Sequence, residues 1–232
     1  MKKYMPDERL RAAAAFVRQG AVFADIGTDH AYLPVFLCKE GRVSHAYACD
    51  VVEGPLANAR AHIAKEGLEE QITPVLTDGL SGLEGYGITD IAICGMGGEL
   101  IADILSRAPF VRNKDVRLIL QPMTRAADLR AFLSREGFAI TDECVRLAAG
   151  KLYFCLAASY TGELYTLSRL EEELGQCNLR RTPPEKEFLE LLAQKIKTAE
   201  KRVKGLRMGG MRACEEEEYL TSLKKLLNAY KG

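Results

Sequence analysis

Ala24-Asp25-Ile26-Gly27-Thr28-Asp29-His30-Ala31-Tyr32-Leu33-Pro34, read with Cys49-Asp50 further along, decides the fold of this chain. An apolar run over 21–24 leads into an acid and a glycine, a helical pattern follows, and a second apolar run ends in Asp50. This is the layout of a nucleotide-binding βαβ unit. The glycine lets backbone approach a ligand, and the second acid meets a ribose diol. The pattern predicts a protein that holds an adenosine-containing cofactor.

Outward from this unit the alternation continues. Strand-like runs at 21–26, 45–49, 72–77, 90–94 and 116–121 alternate with helical runs at 31–40, 53–66, 98–107 and 124–136. A helix over 7–19 precedes them, with Asp7 and Glu8 at its positive end and Gly20 as its stop. Such alternation predicts a parallel sheet covered by helices on both faces, with the ligand along one edge. After Gly137, two strand-like runs at 138–147 and 151–159, joined at Ala149-Gly150-Lys151, predict an antiparallel hairpin. The expected fold is therefore α/β, a Rossmann-like class I methyltransferase sheet of parallel strands plus a C-terminal antiparallel hairpin. That hairpin favours S-adenosylmethionine (SAM) over NAD, because a plain dinucleotide domain would add another α-β unit there.

From Glu163 on there is no strand signal. Thr182-Pro183-Pro184-Glu185 reads as a helix start, with Thr as cap and Pro in the first turn. Phe188, Leu192, Ile196, Ala199, Val203 and Leu206 then recur at a spacing near that of a coiled-coil seam. Gly209-Gly210 breaks the helix, and Leu220, Leu223, Leu227 and Tyr230 begin a second seam. The expectation is a SAM-binding domain over 1–160 and a small helical, coiled-coil-like domain over 161–232.

Composition narrows the setting. Among 232 residues, Lys+Arg and Asp+Glu are equal at 32 each, so any nucleic-acid surface must come from local asymmetry. No apolar run reaches the length of a membrane span, and the N-terminus meets acids at once without an apolar signal region. The 7 cysteines show no CxxC spacing, which fits buried thiols in a reducing cytosol better than a metal site. A cytoplasmic protein with no metal, no membrane and no implied protein partner is expected.

The candidate site residues sit at strand ends. Asp25 would hydrogen-bond the cofactor's amino-acid end, and Gly27 would admit backbone beside it; an ordinary strand-to-helix turn is the alternative. The second and third positions of the usual glycine-rich fingerprint are Asp29 and Ala31. A carboxylate there repels a pyrophosphate but suits the ammonium and sulfonium of SAM. Asp50 is placed for the ribose hydroxyls or for capping the helix at 53, and both roles are compatible. Asp78-Gly79 would accept from the adenine amine or form a plain turn. Gly95, Met96 and Gly97 clear side chains from the place of the transferred methyl, or else allow close strand–helix packing. Gln121 and Pro122 would touch an acceptor base or cap the next helix. His30 is a cofactor or packing residue; His45 and His62 read as structural or exposed. Lys197, Lys201, Arg202, Lys204 and Arg207 lie in a basic stretch with Glu200 as its one acid, apart in sequence from Glu215–Glu218. They form a phosphate-contacting face or a solvated one.

Asp-Ile-Gly-Thr-Asp-His-Ala-Tyr-Leu-Pro at 25–34, Asp-Gly-Leu at 78–80, Gly-Met-Gly-Gly at 95–98 and Leu-Ile-Leu-Gln-Pro at 118–122 resemble the bacterial tRNA (adenine-22-N1)-methyltransferases, the TrmK family. The resemblance covers 8–160 and extends in type to the helical tail. It implies methyl transfer from SAM to N1 of adenine 22 in tRNA. Adenine N1 carries its own lone pair and no proton, so attack needs no general base. The product ring is cationic, and Asp29 is the candidate to stabilise it. A small-molecule methyltransferase on the same fold, and a non-catalytic SAM-binding RNA adaptor, remain as alternatives.

Overall fold

The structure, a computed structural model, describes residues 7–230. The N-terminal stretch read above for signal character lies, over 1–6, outside the described residues. The chain divides into two compact units, Met1–Thr166 and Leu167–Gly232. The sequence boundary at 160/161 falls short of this division. Tyr165 is tied back to the first unit by its N–H to Ser134 O at 3.2 Å and its hydroxyl to Phe138 O at 3.1 Å.

The first unit is one seven-stranded sheet. In chain order the elements are α1 (Glu8–Phe16), β1 (Ala21–Ile26), α2 (Tyr32–Lys39), β2 (Val43–Asp50), α3 (Glu53–Glu66) and β3 (Ile72–Leu76). They continue as β4 (Asp90–Gly97), α4 (Gly98–Ser106), β5 (Arg117–Thr124), α5 (Ala126–Arg135), β6 (Phe138–Ala148) and β7 (Lys151–Tyr160), with a 3-10 turn at Pro109–Val111. Strand order is β3-β2-β1-β4-β5-β7-β6. The first five are parallel, and β7 and β6 join antiparallel. The order reverses beside β1, so β1 and β4 open a crevice at their C-terminal ends, the place where open α/β sheets take ligands.

Local chemistry explains these elements. Asp7 caps α1 by accepting Leu10 N–H at 2.9 Å. Helix α4 buries Ile101, Ile104 and Leu105, one stripe at helical spacing, and α3 buries Leu56, Ala59 and Ile63. Each fully buried branched side chain of this kind contributes about 1.5–3 kcal/mol. The hairpin is fixed to α5 by a buried pair, Arg130 Nε to Glu143 Oε1 at 2.5 Å, with the Phe154 ring 4.1 Å under the guanidinium. Strands β4 and β5 run three residues past their expected ends. The Gly95–Gly97 stretch is therefore a bulged continuation of β4, with Met96 opposite Pro122 and Gly97 opposite Thr124.

The second unit holds α6 (Arg169–Leu174), α7 (Gln176–Arg180), α8 (Lys186–Met208) and α9 (Cys214–Ala229). The first two carry too few residues for periodicity to announce them. Ser168 starts α6 with a capping box to Glu171. Helix α8 begins three residues later than its expected Thr182 cap would place it: Glu185 occupies the N-cap position with no side-chain cap. Phe188, Leu192, Ile196, Ala199 and Val203 are buried as expected, joined by Leu191. On α9, Tyr219 and Leu223 form the buried stripe, while Leu220 is half-buried. Pairs Arg202–Glu216 and Glu200–Lys224 show that α8 and α9 run antiparallel.

Candidate functional site

The crevice at the strand ends is a cavity of about 390 Å³. Its lining includes Asp25, Gly27, Asp29, Tyr32 and Leu33 after β1, Cys94 and Gly95 on β4, and Asp7, Arg9 and Leu10 from α1. Asp25, at the end of β1, is buried and accepts the Thr28 hydroxyl at 2.7 Å. Burial pushes its carboxyl up from 3.8 to about 6; the Thr28 bond opposes this, and the Asp50 charge adds to it. A buried carboxylate poised near neutrality at a cavity wall is suited to receive a cationic group.

Gly27 follows with φ +74°, and its N–H and that of Thr28 donate to Cys49 O at 2.9 and 2.8 Å. A Cβ there would lie 2.2 Å from the Met96 methyl, so the loop after β1 is in contact with the tip of β4. Asp29 stands at the mouth with its side chain 77% exposed, 3.3 Å from His30 Nε2. Water around it weakens any field it applies to the cavity.

The other expected residues are distributed around this cavity rather than all within its wall. Asp50 Oδ1 accepts Val52 N–H at 2.8 Å, closing the turn into α3, and Thr77 N–H on Asp50 O draws the end of β3 alongside. Asp78 is mostly exposed and accepts from Arg107 Nη1 at 3.0 Å. Gly79 adopts φ +58°, with a Cβ position 3.1 Å from Ile104. Gly98, next to the candidate glycines, is required for packing: a Cβ there would meet Arg125 O at 2.3 Å.

Two expectations change. Gln121 and Pro122 are buried, so neither presents a side chain to an incoming base. Gln121 Oε1 instead accepts Gly95 N–H at 3.1 Å and Arg9 Nη1 at 2.9 Å, and its amide donates to Pro122 O at 3.1 Å. It supplies the acceptor that the bulge takes from the strand ladder. The exposed residues at this edge are Met123, Thr124 and Arg125. The acids of α9 also do not stay apart from the basic stretch of α8. Glu217 Oε1 lies 2.8 Å from Arg207 Nη2, and Glu216 Oε1 lies 3.8 Å from Arg202 Nη1. Lys197, Lys201 and Lys204 are exposed at helical spacing along one face of α8.

A family model described as a methyltransferase domain matches residues 6–156. The solved Streptococcus pneumoniae protein Sp1610, described as a candidate tRNA (m1A22) methyltransferase, is 33% identical, with 96% of this chain and 100% of that one covered and a TM-score of 0.84. The chain belongs to the TrmK family of methyltransferases. The Bacillus subtilis m1A22 tRNA methyltransferase TrmK superposes with a TM-score of 0.82 at 28% identity, over 98% of this chain and 99% of that one. Among curated relatives, the tRNA (adenine(22)-N(1))-methyltransferase of Bacillus subtilis is 37% identical over 68% of this chain and 66% of its own length. A second Sp1610 structure holds SAM, and Mycoplasma capricolum TrmK holds S-adenosylhomocysteine (SAH).

Within this TrmK-family chain the sequence reading missed α1 as a cavity wall. Arg9 touches Gln121, Met123 Sδ at 3.5 Å and Asp7 at 3.3 Å, and lies 5.9 Å from the Tyr153 ring centroid. One of two arginines in the first turn of a short helix, Arg9 has no sequence signal. The thiol at the β4 tip, Cys94, is held protonated by burial and the nearby Asp25 charge, which removes it as a nucleophile.

Proposed function

We propose that this protein transfers a methyl group from SAM to N1 of adenine 22 in tRNA. The observation that carries the reading is the buried Asp25 in an acid-lined cavity between β1 and β4, walled by the glycine contact at Met96. The donor set fits the cofactor: three carboxylates for its positive groups and Arg9 for its carboxylate, with Asp50 beyond for the ribose diol. When bound, SAM supplies an electrophilic methyl group on a sulfonium.

The chain's own residues bind and orient. Asp25, held by Thr28, would receive the methionine ammonium, and Gly27 would leave its backbone open beside it. Asp50 keeps one oxygen on Val52 N–H and would offer the other to the ribose. Asp78, paired with Arg107 in the turn made at Gly79, would accept from the adenine amine. Gly95, Met96 and Gly97 keep the tip of β4 low, so that a base can approach in line; Gln121 and Pro122 brace that tip from below. Asp29 and His30 rim the mouth. No residue is needed to take a proton, because N1 attacks with its own lone pair. The acceleration comes from holding N1 in line with the methyl. The base must be unpaired or flipped to expose N1. Lys197, Lys201 and Lys204 would meet tRNA phosphates, with Arg202 and Arg207 partly committed to the acids of α9. The protein would work in the cytoplasm, where its scattered thiols stay reduced.

The test is incubation with methyl-labelled SAM and unmodified tRNA bearing A22, followed by digestion and mapping of the label. 1-Methyladenosine at that position supports the proposal. Label on another nitrogen or base overturns it while keeping the methyltransferase chemistry.

A further inference from the structure

We infer that His62, on α3, is a positioning residue that sets cofactor affinity by pinning a strained loop at the cavity mouth. The strain is explicit. His30 and Ala31 are consecutive non-glycine residues in the left-handed region, at φ 57° and 52°. Each such residue is disfavoured for its Cβ and persists only where its surroundings fix it. This pair turns the chain out of the loop holding Gly27 and Asp29 and into α2, whose N-cap is Ala31. Unless that turn is held, Asp29 and the start of α2 leave the cavity wall.

The hold comes from α3. His62 Nδ1 lies 2.6 Å from His30 O, and since a carbonyl only accepts, this nitrogen carries the proton and donates. The ring lies between that carbonyl and the Glu66 carboxyl. Its Nε2 is 3.9 Å from Glu66 Oε1, and Glu66 is itself paired with Lys39 of α2. The Tyr32 ring stacks on His30 at 5.2 Å between centroids and meets His62 edge-on at 5.3 Å. Tyr32 lines the cavity, so the contact passes from α3 through one aromatic ring to the cavity wall. The side chain of His62 is 14% exposed, which shields the bond from competing water.

The inference rests on the cofactor reading, and its test separates the two. SAH binding is measured by titration calorimetry for the wild type, His62→Gln and His62→Phe, alongside the melting temperature of each without ligand. Gln keeps a donor for the His30 carbonyl; Phe keeps a ring against Tyr32 and loses the donor. The expected result is near-normal SAH affinity for His62→Gln. For His62→Phe the dissociation constant rises about 5- to 20-fold, the size of one shielded hydrogen bond. KM for SAM rises in step while kcat stays within about twofold, because uniform cofactor binding is what is lost. His62→Met gives the same donor-free comparison should the Phe variant not fold. Wild-type affinity in a folded donor-free variant, or an equal loss in His62→Gln, overturns the inference. A wild type that binds no SAH overturns the cofactor reading and the inference with it.

Discussion

Replacing Asp25 by Asn separates its effect on the empty fold from its effect on the cofactor. The folded carboxyl is raised from 3.8 to about 6, chiefly by burial. At 1.36 kcal/mol per pH unit this is about 3 kcal/mol of linkage. The sign follows from the raised value. Below about 4 the proton is held in both states and the contribution to stability is complete. It is lost as pH rises through about 6, because the native protein must then ionise a buried acid. The ligand-free wild type should therefore lose up to about 3 kcal/mol from this group between pH 4 and 8. Asp25→Asn should not, and at pH 8 the empty variant should melt higher than the wild type. Binding has the opposite sense, since an ammonium favours the ionised acid. Wild-type SAH affinity should weaken by about tenfold per pH unit below 6 and level off above it. Asp25→Asn should bind weakly at every pH. Calorimetry in two buffers of different ionisation enthalpy checks this through the proton released on binding near pH 6. Wild-type affinity that is flat from pH 5 to 8, or an Asn variant that binds normally at pH 8, would refute the reasoning.

Three further outcomes are expected. Arg9→Gln should weaken SAH binding about 10- to 100-fold, the loss of a charged hydrogen bond, while leaving a decarboxylated SAH analogue within about twofold; equal losses for both ligands would show that Arg9 acts only through Gln121. Changing Lys197, Lys201 and Lys204 together to Gln should lower the slope of log K against log salt for tRNA by about 2–3 without altering SAH affinity, and an unchanged slope in a salt titration would remove α8 from the RNA surface. Asp29→Ala should cut kcat by less than about fivefold in single-turnover methylation, because the side chain is 77% exposed and screened. A 100-fold loss would mean that the bound tRNA seals the mouth and restores the charge to full strength.

How much of this was legible depends on the range of the forces involved. The strand–helix alternation and the closing hairpin follow from periodicity and glycine punctuation, which act over a few residues; the order of the strands in the sheet does not. Strand β1 and the turn at Gly27 are of that kind, and so is the buried stripe of α8 from Phe188 to Val203. The ends of β4 and β5 were not, because Gly95 and Gly97 read as a loop until a side chain from the neighbouring strand supplies the missing acceptor. The same limit hid the charge pairing of the tail. Glu216 and Glu217 are distant in sequence from Arg202 and Arg207, and only the antiparallel return of α9 brings them together.

The site repeats this division with consequences for chemistry. Residues that would touch the cofactor with backbone or with a strand-end acid stand at positions the fold dictates, which is why Asp25, Gly27 and Asp50 could be named from spacing. Residues that act through another residue have no such address. Gln121, at a strand end, was expected to touch an acceptor base or cap the next helix, yet its buried amide holds Gly95 on one side and Arg9 on the other. His62 read as structural or exposed with no partner to name, yet it faces the carbonyl of a left-handed residue that α2 and β2 separate from it in the chain. In both cases a polar side chain satisfies a backbone group that an irregular turn has removed from regular pairing. Irregular backbone is where a cavity wall departs from the sheet, so the supports of the cavity collect there. Substitutions at Gln121 and His62 should accordingly alter cofactor affinity in proportion to the donor or acceptor removed, whereas substitutions on the regular faces of α3 and α5 should alter stability alone.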